Sequence, residues 1–173
     1  MTSGSPPPQF SFCPRCATPL EAREWEGRTR PRCPSCGYVQ YLNPVVGVAA
    51  VVRDAEGRVL LVRKARNGMW SFPSGYVEWD EDIREAAVRE MREEVALDVT
   101  AGDVIAVHSN FHDRAKQTVG VWLWATITGG AVRPDLREIT TAAWFDPATP
   151  PSPTYPTDAL VLAQLAGARR GRS

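Results

Sequence analysis

The chain has 173 residues, 43% of them hydrophobic, and its 20 lysines and arginines balance 20 aspartates and glutamates. That length carries one ordinary domain plus a small module, and the apolar fraction excludes a chain that is disordered as a whole. The charge balance removes the bulk signature of a nucleic-acid binder, leaving room only for a local patch.

From the N-terminus, "MTSGSPPPQF" has neither a basic stretch nor an apolar stretch of the secretory kind. No later run approaches a membrane-spanning length. Both readings point to a cytoplasmic protein without a membrane partner. Next come two cysteine pairs, "CPRC" (Cys13, Cys16) and "CPSC" (Cys33, Cys36). Their spacing is that of zinc sites, since each tight turn aims two thiolates at one ion and two turns complete a tetrahedron. Two disulfides are the competing reading, disfavoured in a reducing compartment. Four thiolates leave no open position for water, so the Zn²⁺ expected here is structural. Between the pairs, "ATPLEAREWEGRTRPR" suits a short hairpin turning at Glu26-Gly27.

"VVGVAAVVR" then reads as a buried strand and "RVLLVRKA" as its partner across an "AEG" turn. "NGMWSFPSGYVE" is a loop with short extended pieces, and "WDEDIREAAVREMREEVAL" is the one long helical pattern. "VIAVHSNF", "TVGVWLWATITGG" and "TTAAWFDP" are further strands, with a polar turn "HDRAKQ" between the first two. A proline-rich segment, "ATPPSPTYP", leads to a short helix "ALVLAQLA", which Thr157 or Asp158 can cap and Gly167 can end, before a basic tail "RRGRS". The sum is a mixed sheet with few helices, α+β or layered α/β/α, behind a small metal module.

The long helix carries the most information. At about 100° per residue, Ile83, Ala86, Ala87 and Met91 form its buried stripe. Glu90 and Glu94 fall within about 20° of Ile83 by the same geometry. Glu93 lies at the edge, while Glu85 and Arg92 face solvent. Buried carboxylates must be paired or bind a cation, and one arginine cannot neutralise three glutamates. Clustered hard oxygens suit Mg²⁺ or Mn²⁺. On spacing alone, a solvated acidic turn paired with Arg84, Arg89 and Arg92 competes with that reading.

The residues Gly75, Glu81 and Arg89-Glu90-Met91-Arg92-Glu93-Glu94-Val95-Ala96-Leu97 resemble the Nudix box, G-x5-E-x7-R-E-U-x-E-E-x-G-U with U aliphatic. Ala96 departs from it, standing where the family usually has glycine. A left-handed conformation there costs a non-glycine residue about 1 kcal/mol. "PSG" also replaces Pro-Gly-Gly, and Asp80 replaces the glycine common before the first box glutamate. A cysteine-knuckle pair ahead of such a box resembles the zinc-ribbon Nudix proteins, which include NADH, FAD and ADP-ribose pyrophosphatases. The resemblance implies a Nudix α/β/α sandwich around a mixed sheet, with a ribbon at 10–42 and a hydrolase domain at 43–167.

It also implies roles. Glu90 and Glu94, with Glu93 and the Gly75 carbonyl, would hold Mg²⁺ or Mn²⁺, and Arg89 would orient the cluster, with Glu81 as its partner or reaching the metal through water. Glu138 in "DLREIT" is the first candidate for general base, with His108 and His112 as alternative proton carriers. Arg63, Lys64 and Arg66 could meet phosphate, and Trp70, Phe111 and His112 could contact the rest of the substrate. The expected substrate is a nucleoside diphosphate-linked small molecule, ADP-ribose, FAD or a related dinucleotide. The NADH enzymes carry Ser-Gln-Pro-Trp-Pro-Phe-Pro after the box, where this chain has "IAVHSNFHDRAKQT". A catalytically weak nucleotide sensor that grips nucleic acid through its ribbon is the alternative. Glu21, Glu24 and Glu26 offset the ribbon arginines, which weighs against nucleic acid as a partner, and a homodimer stays open.

Overall fold

The computed structural model describes residues 10–113 and 116–170. Residues 1–9, Arg114 and Ala115 of the polar turn, and the last three residues of the basic tail lie outside that range, so the reading of the opening stretch does too. Two compact units divide the described chain, one of residues 10–44 with 113, 116 and 117, the other of 45–112 and 118–170.

In the first unit, β1 (Glu21–Trp25) and β2 (Arg28–Arg32) form an antiparallel hairpin, turning through Glu26 at φ 51° and Gly27 at φ 71°. Positive φ at both central residues is the geometry that matches the twist of a two-residue hairpin. Among the described residues of this unit only Cys13, Cys33 and Gln40 are buried, and they make no apolar core.

The second unit contains β3 (Val45–Val51), β4 (Val59–Lys64), β5 (Trp70–Ser71), β6 (Ser74–Tyr76), α1 (Ile83–Val95), β7 (Leu97–Asn110), β8 (Thr118–Gly130), β9 (Ile139–Phe145) and α2 (Pro156–Arg170). The order β6-β3-β8-β7 makes one sheet, in which β3 and β8 run parallel, and β5-β4-β9 makes another. Alternation along β3 serves two cores. Val48, Ala50 and Val52 join Leu60, Val62 and Leu123 under Ala86, Ala87, Met91 and Val95 of α1. Ala49 and Val51 join Leu61, Phe72 and Trp122 under Val161, Leu162 and Leu165 of α2. Helices on both faces of a mixed sheet arrangement are the layered architecture expected from the sequence.

The helix boundaries differ from the sequence reading. α1 starts at Ile83 because Asp82, in extended conformation, accepts a hydrogen bond from the Arg84 N–H and caps it. It ends at Ala96, which adopts the left-handed conformation (φ 55°, ψ 33°) and donates its N–H to the Arg92 and Met91 carbonyls. The alanine therefore accepts the strain usually given to glycine, and β7 begins at the next residue, earlier than "VIAVHSNF". Opposite, a side chain at Gly130 would collide with the Ala96 carbonyl. Gly167 does not end α2, which continues to Arg170, and Pro156 opens it with Thr157 and Asp158 inside the first turn. The proline-rich segment lies alongside β5, with the Trp70 N–H on the Pro153 carbonyl at 2.9 Å and the Tyr155 N–H on the Trp70 carbonyl at 3.1 Å. Among the described residues, no helix is long and apolar enough to cross a membrane.

Candidate functional site

The inward turn of the α1 carboxylates is present in the structure. The Glu94 side chain is 3% exposed and that of Glu90 12%, whereas Glu93 at the stripe edge is 59% exposed. Glu85 and Arg92 are exposed. Gly75, on β6 opposite Val48, presses against Glu90 so closely that an added Cβ would fall within the Glu90 carboxylate. Only a residue without a side chain fits between strand and helix at this point.

Arg89 braces the cluster with every donor it has. Its Nε and Nη2 grip Glu81 at 2.7 and 2.9 Å, Nη1 reaches Glu90 at 2.7 Å and Glu93 at 3.1 Å, and Nη2 also donates to the Tyr76 carbonyl at 3.0 Å. The paired guanidinium holds the Glu81 carboxyl below its usual range. Glu81 is thus the partner of Arg89, one of the two roles foreseen for it.

A second cation enters from β4. Period-two alternation puts Lys64 on the same face as Leu60 and Val62, towards α1. Its ammonium is buried, pairs with Glu94 Oε1 and donates to the Ser74 carbonyl at 3.2 Å. The Ser74 N–H donates to Glu94 Oε2 at 3.0 Å. This corrects the reading of Lys64 as a phosphate contact beside Arg63, and the premise that one arginine alone faces the glutamates. Burial pushes the carboxyl of Glu94 up, opposed by Lys64, and burial likewise pushes up Glu90, opposed by Arg89. Both shifts mark carboxylates deprived of water and ready for more positive charge. The donor set of Glu90, Glu94 and the edge residue Glu93, all hard oxygens, has the chemistry that suits a hard divalent cation.

The remaining candidates are distributed. Glu138 is exposed in the segment before β9, which is tied to this centre through its backbone: the Asp135 N–H donates to the Glu94 carbonyl at 2.9 Å and the Ala65 N–H to the Glu138 carbonyl at 2.7 Å. Arg66 and His112 meet at Tyr155, a residue that nothing in the sequence marked. Arg66 Nη2 and Asn67 Nδ2 donate to the Tyr155 hydroxyl at 2.9 and 2.7 Å, and the His112 ring lies 5.7 Å from the Tyr155 ring. Arg63 Nε donates to the Gly68 carbonyl at 3.0 Å. Trp70 packs edge-on against Phe145 at 5.0 Å, so much of its surface serves the core. Phe111 is 68% exposed. His108 packs edge-on against Trp122 at 5.5 Å, with its buried Nε2 lacking a hydrogen-bond partner.

In the smaller unit, the four cysteines are free thiols whose sulfurs all lie within 4.8 Å of one another. Cys13 and Cys36 approach to 3.5 Å, Cys16 and Cys33 to 3.4 Å. The edges of a zinc tetrathiolate are about 3.8 Å, so the set fits that ion. Two matching turns build it, with Ala17 (φ 56°) donating to the Cys13 carbonyl and Gly37 (φ 75°) to the Cys33 carbonyl.

Comparison with known proteins decides the family. The NUDIX domain matches residues 43–165, and the Nudix N-terminal zinc-ribbon family matches 11–42. The chain belongs to the Nudix family. It is 33% identical over 167 residues to the NAD-capped RNA hydrolase NudC of Stutzerimonas stutzeri, covering 94% of this chain and 58% of that protein. It is 29% identical over 115 residues to the ADP-ribose pyrophosphatase of Methanocaldococcus jannaschii, covering 63% of this chain and 66% of that protein. A solved Nudix hydrolase from Nitrosomonas europaea shares the fold with a TM-score of 0.79 at 26% identity, covering 94% and 93% of the two chains. This Nudix chain spans little more than half the length of the NudC protein it matches.

Proposed function

We propose that this Nudix protein hydrolyses the diphosphate linkage of a nucleoside diphosphate derivative, ADP-ribose, FAD or a related dinucleotide, and releases a nucleoside monophosphate. The observation that carries the reading is the inward pair of Glu90, held by Arg89 against Gly75, and Glu94, held by Lys64 and the Ser74 N–H. Relatives named for NAD-capped RNA and for ADP-ribose support a diphosphate between two nucleoside-like halves. Residues 43–167 form the hydrolase domain in this reading, and 10–42 a ribbon stabilised by one Zn²⁺ on Cys13, Cys16, Cys33 and Cys36.

Glu90, Glu93, Glu94 and the Gly75 carbonyl would hold Mg²⁺ or Mn²⁺. That metal, when bound, supplies neutralising charge at the phosphate oxygens and acidifies a water. Arg89 keeps Glu90 and Glu93 aligned whether or not substrate is present. Glu138 accepts the proton of the attacking water on its carboxylate. Arg63 and Arg66 meet the phosphates, while Trp70, Phe111 and His112 contact the distal half of the substrate. The inward glutamates weigh against a protein that only senses nucleotides.

A product-resolved screen of ADP-ribose, FAD, NADH and nucleoside triphosphates, with Mg²⁺ and with Mn²⁺, tests the reading. Release of a monophosphate from at least one dinucleotide is expected, and metal-dependent hydrolysis of none of them ends it. Three variants test the roles. Glu138→Gln should lower kcat by about 10²- to 10⁴-fold, as loss of a general base does. Phe111→Ala and His112→Ala should raise KM while kcat falls less than about tenfold, because they bind substrate and transition state alike. If Glu138→Gln leaves kcat intact and His112→Ala abolishes it, the base belongs to the histidine loop. Metal analysis should find one zinc per chain. Two disulfides and no zinc in protein from reducing cells would contradict the ribbon assignment.

A further inference from the structure

The ribbon has five arginines and three glutamates, and their near-cancellation in composition is not a cancellation in space. Across the β1–β2 hairpin the register pairs Glu21 with Arg32, Arg23 with Arg30, and Trp25 with Arg28. Directly paired residues share a face of an antiparallel ribbon. One face therefore presents Arg23, Arg28, Arg30 and Arg32 together with Trp25 and a single carboxylate, Glu21, while Glu24, paired with Thr29, lies on the other. Arg23 stands opposite Arg30, a like-charge placement that folding alone disfavours.

The three glutamates answer only one of these four charges, that of Arg23. Glu21 is taken by Arg23 at 2.6 Å, and Glu26 accepts from the Tyr41 hydroxyl at 3.3 Å. Among the described residues, Arg15, Arg28, Arg30 and Arg32 have no carboxylate partner, and the buried Nε of Arg30 has no hydrogen-bond partner at all. Three of these guanidiniums lie instead on rings: Arg32 over Trp25 at 4.5 Å, Arg30 over Tyr41 at 4.7 Å and Arg15 over Tyr38 at 5.4 Å. Trp25 Nε1 donates to the Tyr41 hydroxyl at 3.1 Å, which locks the two rings into one array. Stacking occupies the flat faces of a guanidinium and leaves its edge N–H groups free to donate. Pre-ordered arginine forks beside half-exposed aromatic rings match a chain of phosphates carrying unpaired bases.

We infer that the arginine-bearing face of the β1–β2 hairpin binds single-stranded nucleic acid, its guanidiniums on the phosphates and Trp25 and Tyr41 against bases. This inference stands on the ribbon alone and does not depend on which diphosphate the larger unit hydrolyses. Arg28, exposed and free of a carboxylate, is the contact most easily removed without disturbing the hairpin.

Fluorescence anisotropy with the full zinc-loaded chain and short labelled oligouridylate or oligothymidylate tests it. Three to four phosphate contacts predict that affinity falls about twenty- to fifty-fold between ~50 and ~200 mM salt. Arg28→Ala should weaken binding several-fold and flatten the logarithmic salt slope by about 0.7, while hydrolysis of free ADP-ribose is unchanged. Arg30→Lys with Arg32→Lys keeps the charge but loses the stacked forks, and should also weaken binding at unchanged zinc content. Arg84→Ala, an exposed arginine of α1, should have no effect. Tighter binding of the ribo-oligomer makes RNA the natural ligand, and tighter binding of the deoxy-oligomer makes it DNA. No binding at ~50 mM salt, or a wild-type salt slope in Arg28→Ala, overturns the proposal. So does displacement by polyglutamate as effective as by an oligonucleotide of equal charge, which would point to an acidic protein.

Discussion

The two helices of the larger unit flank the same sheets, and each buries one carboxylate. Glu94 on α1 meets an ammonium and a backbone N–H, with Arg89 holding its neighbours. Asp158 on α2 meets the Trp122 indole N–H at 2.7 Å. Burial pushes the Asp158 carboxyl up to about 7 against that indole, so near neutrality it is half protonated. The difference separates two uses of a buried acid. Paired directly with an ammonium, a carboxylate serves charge; bonded to a neutral indole, with Lys64 acting on it only through space, it serves packing.

The largest effect should come from breaking the α1 side. Glu94→Gln keeps size and removes charge, so turnover should drop at least about a hundredfold, because metal-borne stabilisation of the transition state is lost. Glu85→Gln, on the solvent face of the same helix, should stay within about twofold, as surface changes do. Equal losses in steady-state assays of the two would refute the inward stripe as the origin of activity.

The α2 side should respond in stability and not in turnover. Asp158 loses its proton near 3.8 when unfolded and near 7 when folded. Its contribution is therefore complete at low pH and is lost as pH rises through about 7. Between pH 5 and 7 that amounts to about 2 kcal/mol. Melting curves of Asp158→Asn should show a flatter dependence on pH across this window than the parent. A slope identical to the parent would mean that Asp158 is not the group that titrates.

The smallest effect concerns how the helices end. α1 stops at a strained alanine, while α2 runs through a glycine that needs no special conformation. Ala96→Gly should stabilise by about 1 kcal/mol, raising Tm by roughly 2–4 °C in a chain of this size. Gly167→Ala should also stabilise slightly, since open space surrounds it and alanine is the better helix former. A destabilised Ala96→Gly in calorimetry would show that the cap is not strained.

The α1 stripe was legible because helical periodicity is local: four apolar positions suffice to place Glu90 and Glu94. The cysteine pairs were legible for the same reason, each being a turn that needs no tertiary context. Lys64 was not, because its partner lies thirty positions away and basic residues after a strand usually face solvent. Its alternation with Leu60 and Val62 was the available signal. Asp158 read as a cap because Asp before an apolar run usually is one; only the packing of Trp122 across the sheet makes it a buried acid. The start of β7 was hidden because a left-handed cap lets strand follow helix without a loop. The segregation of charge on the ribbon was invisible to any count of residues, since register and not composition decides which face an arginine takes.

Arg89 spends all five of its N–H donors on three pieces of chain: the Tyr76 carbonyl at the end of β6, Glu81 ahead of the helix, and Glu90 and Glu93 on α1. No solvent-exposed donor is left over, so the segment from Tyr76 to Glu81 cannot open without releasing the helix from the same knot. Amide protons of that loop, which by their exposure ought to exchange with deuterium quickly, should instead exchange at the pace of the α1 backbone. Lysine, with three donors and no planar fork, would let the loop exchange on its own clock while the helix stayed protected.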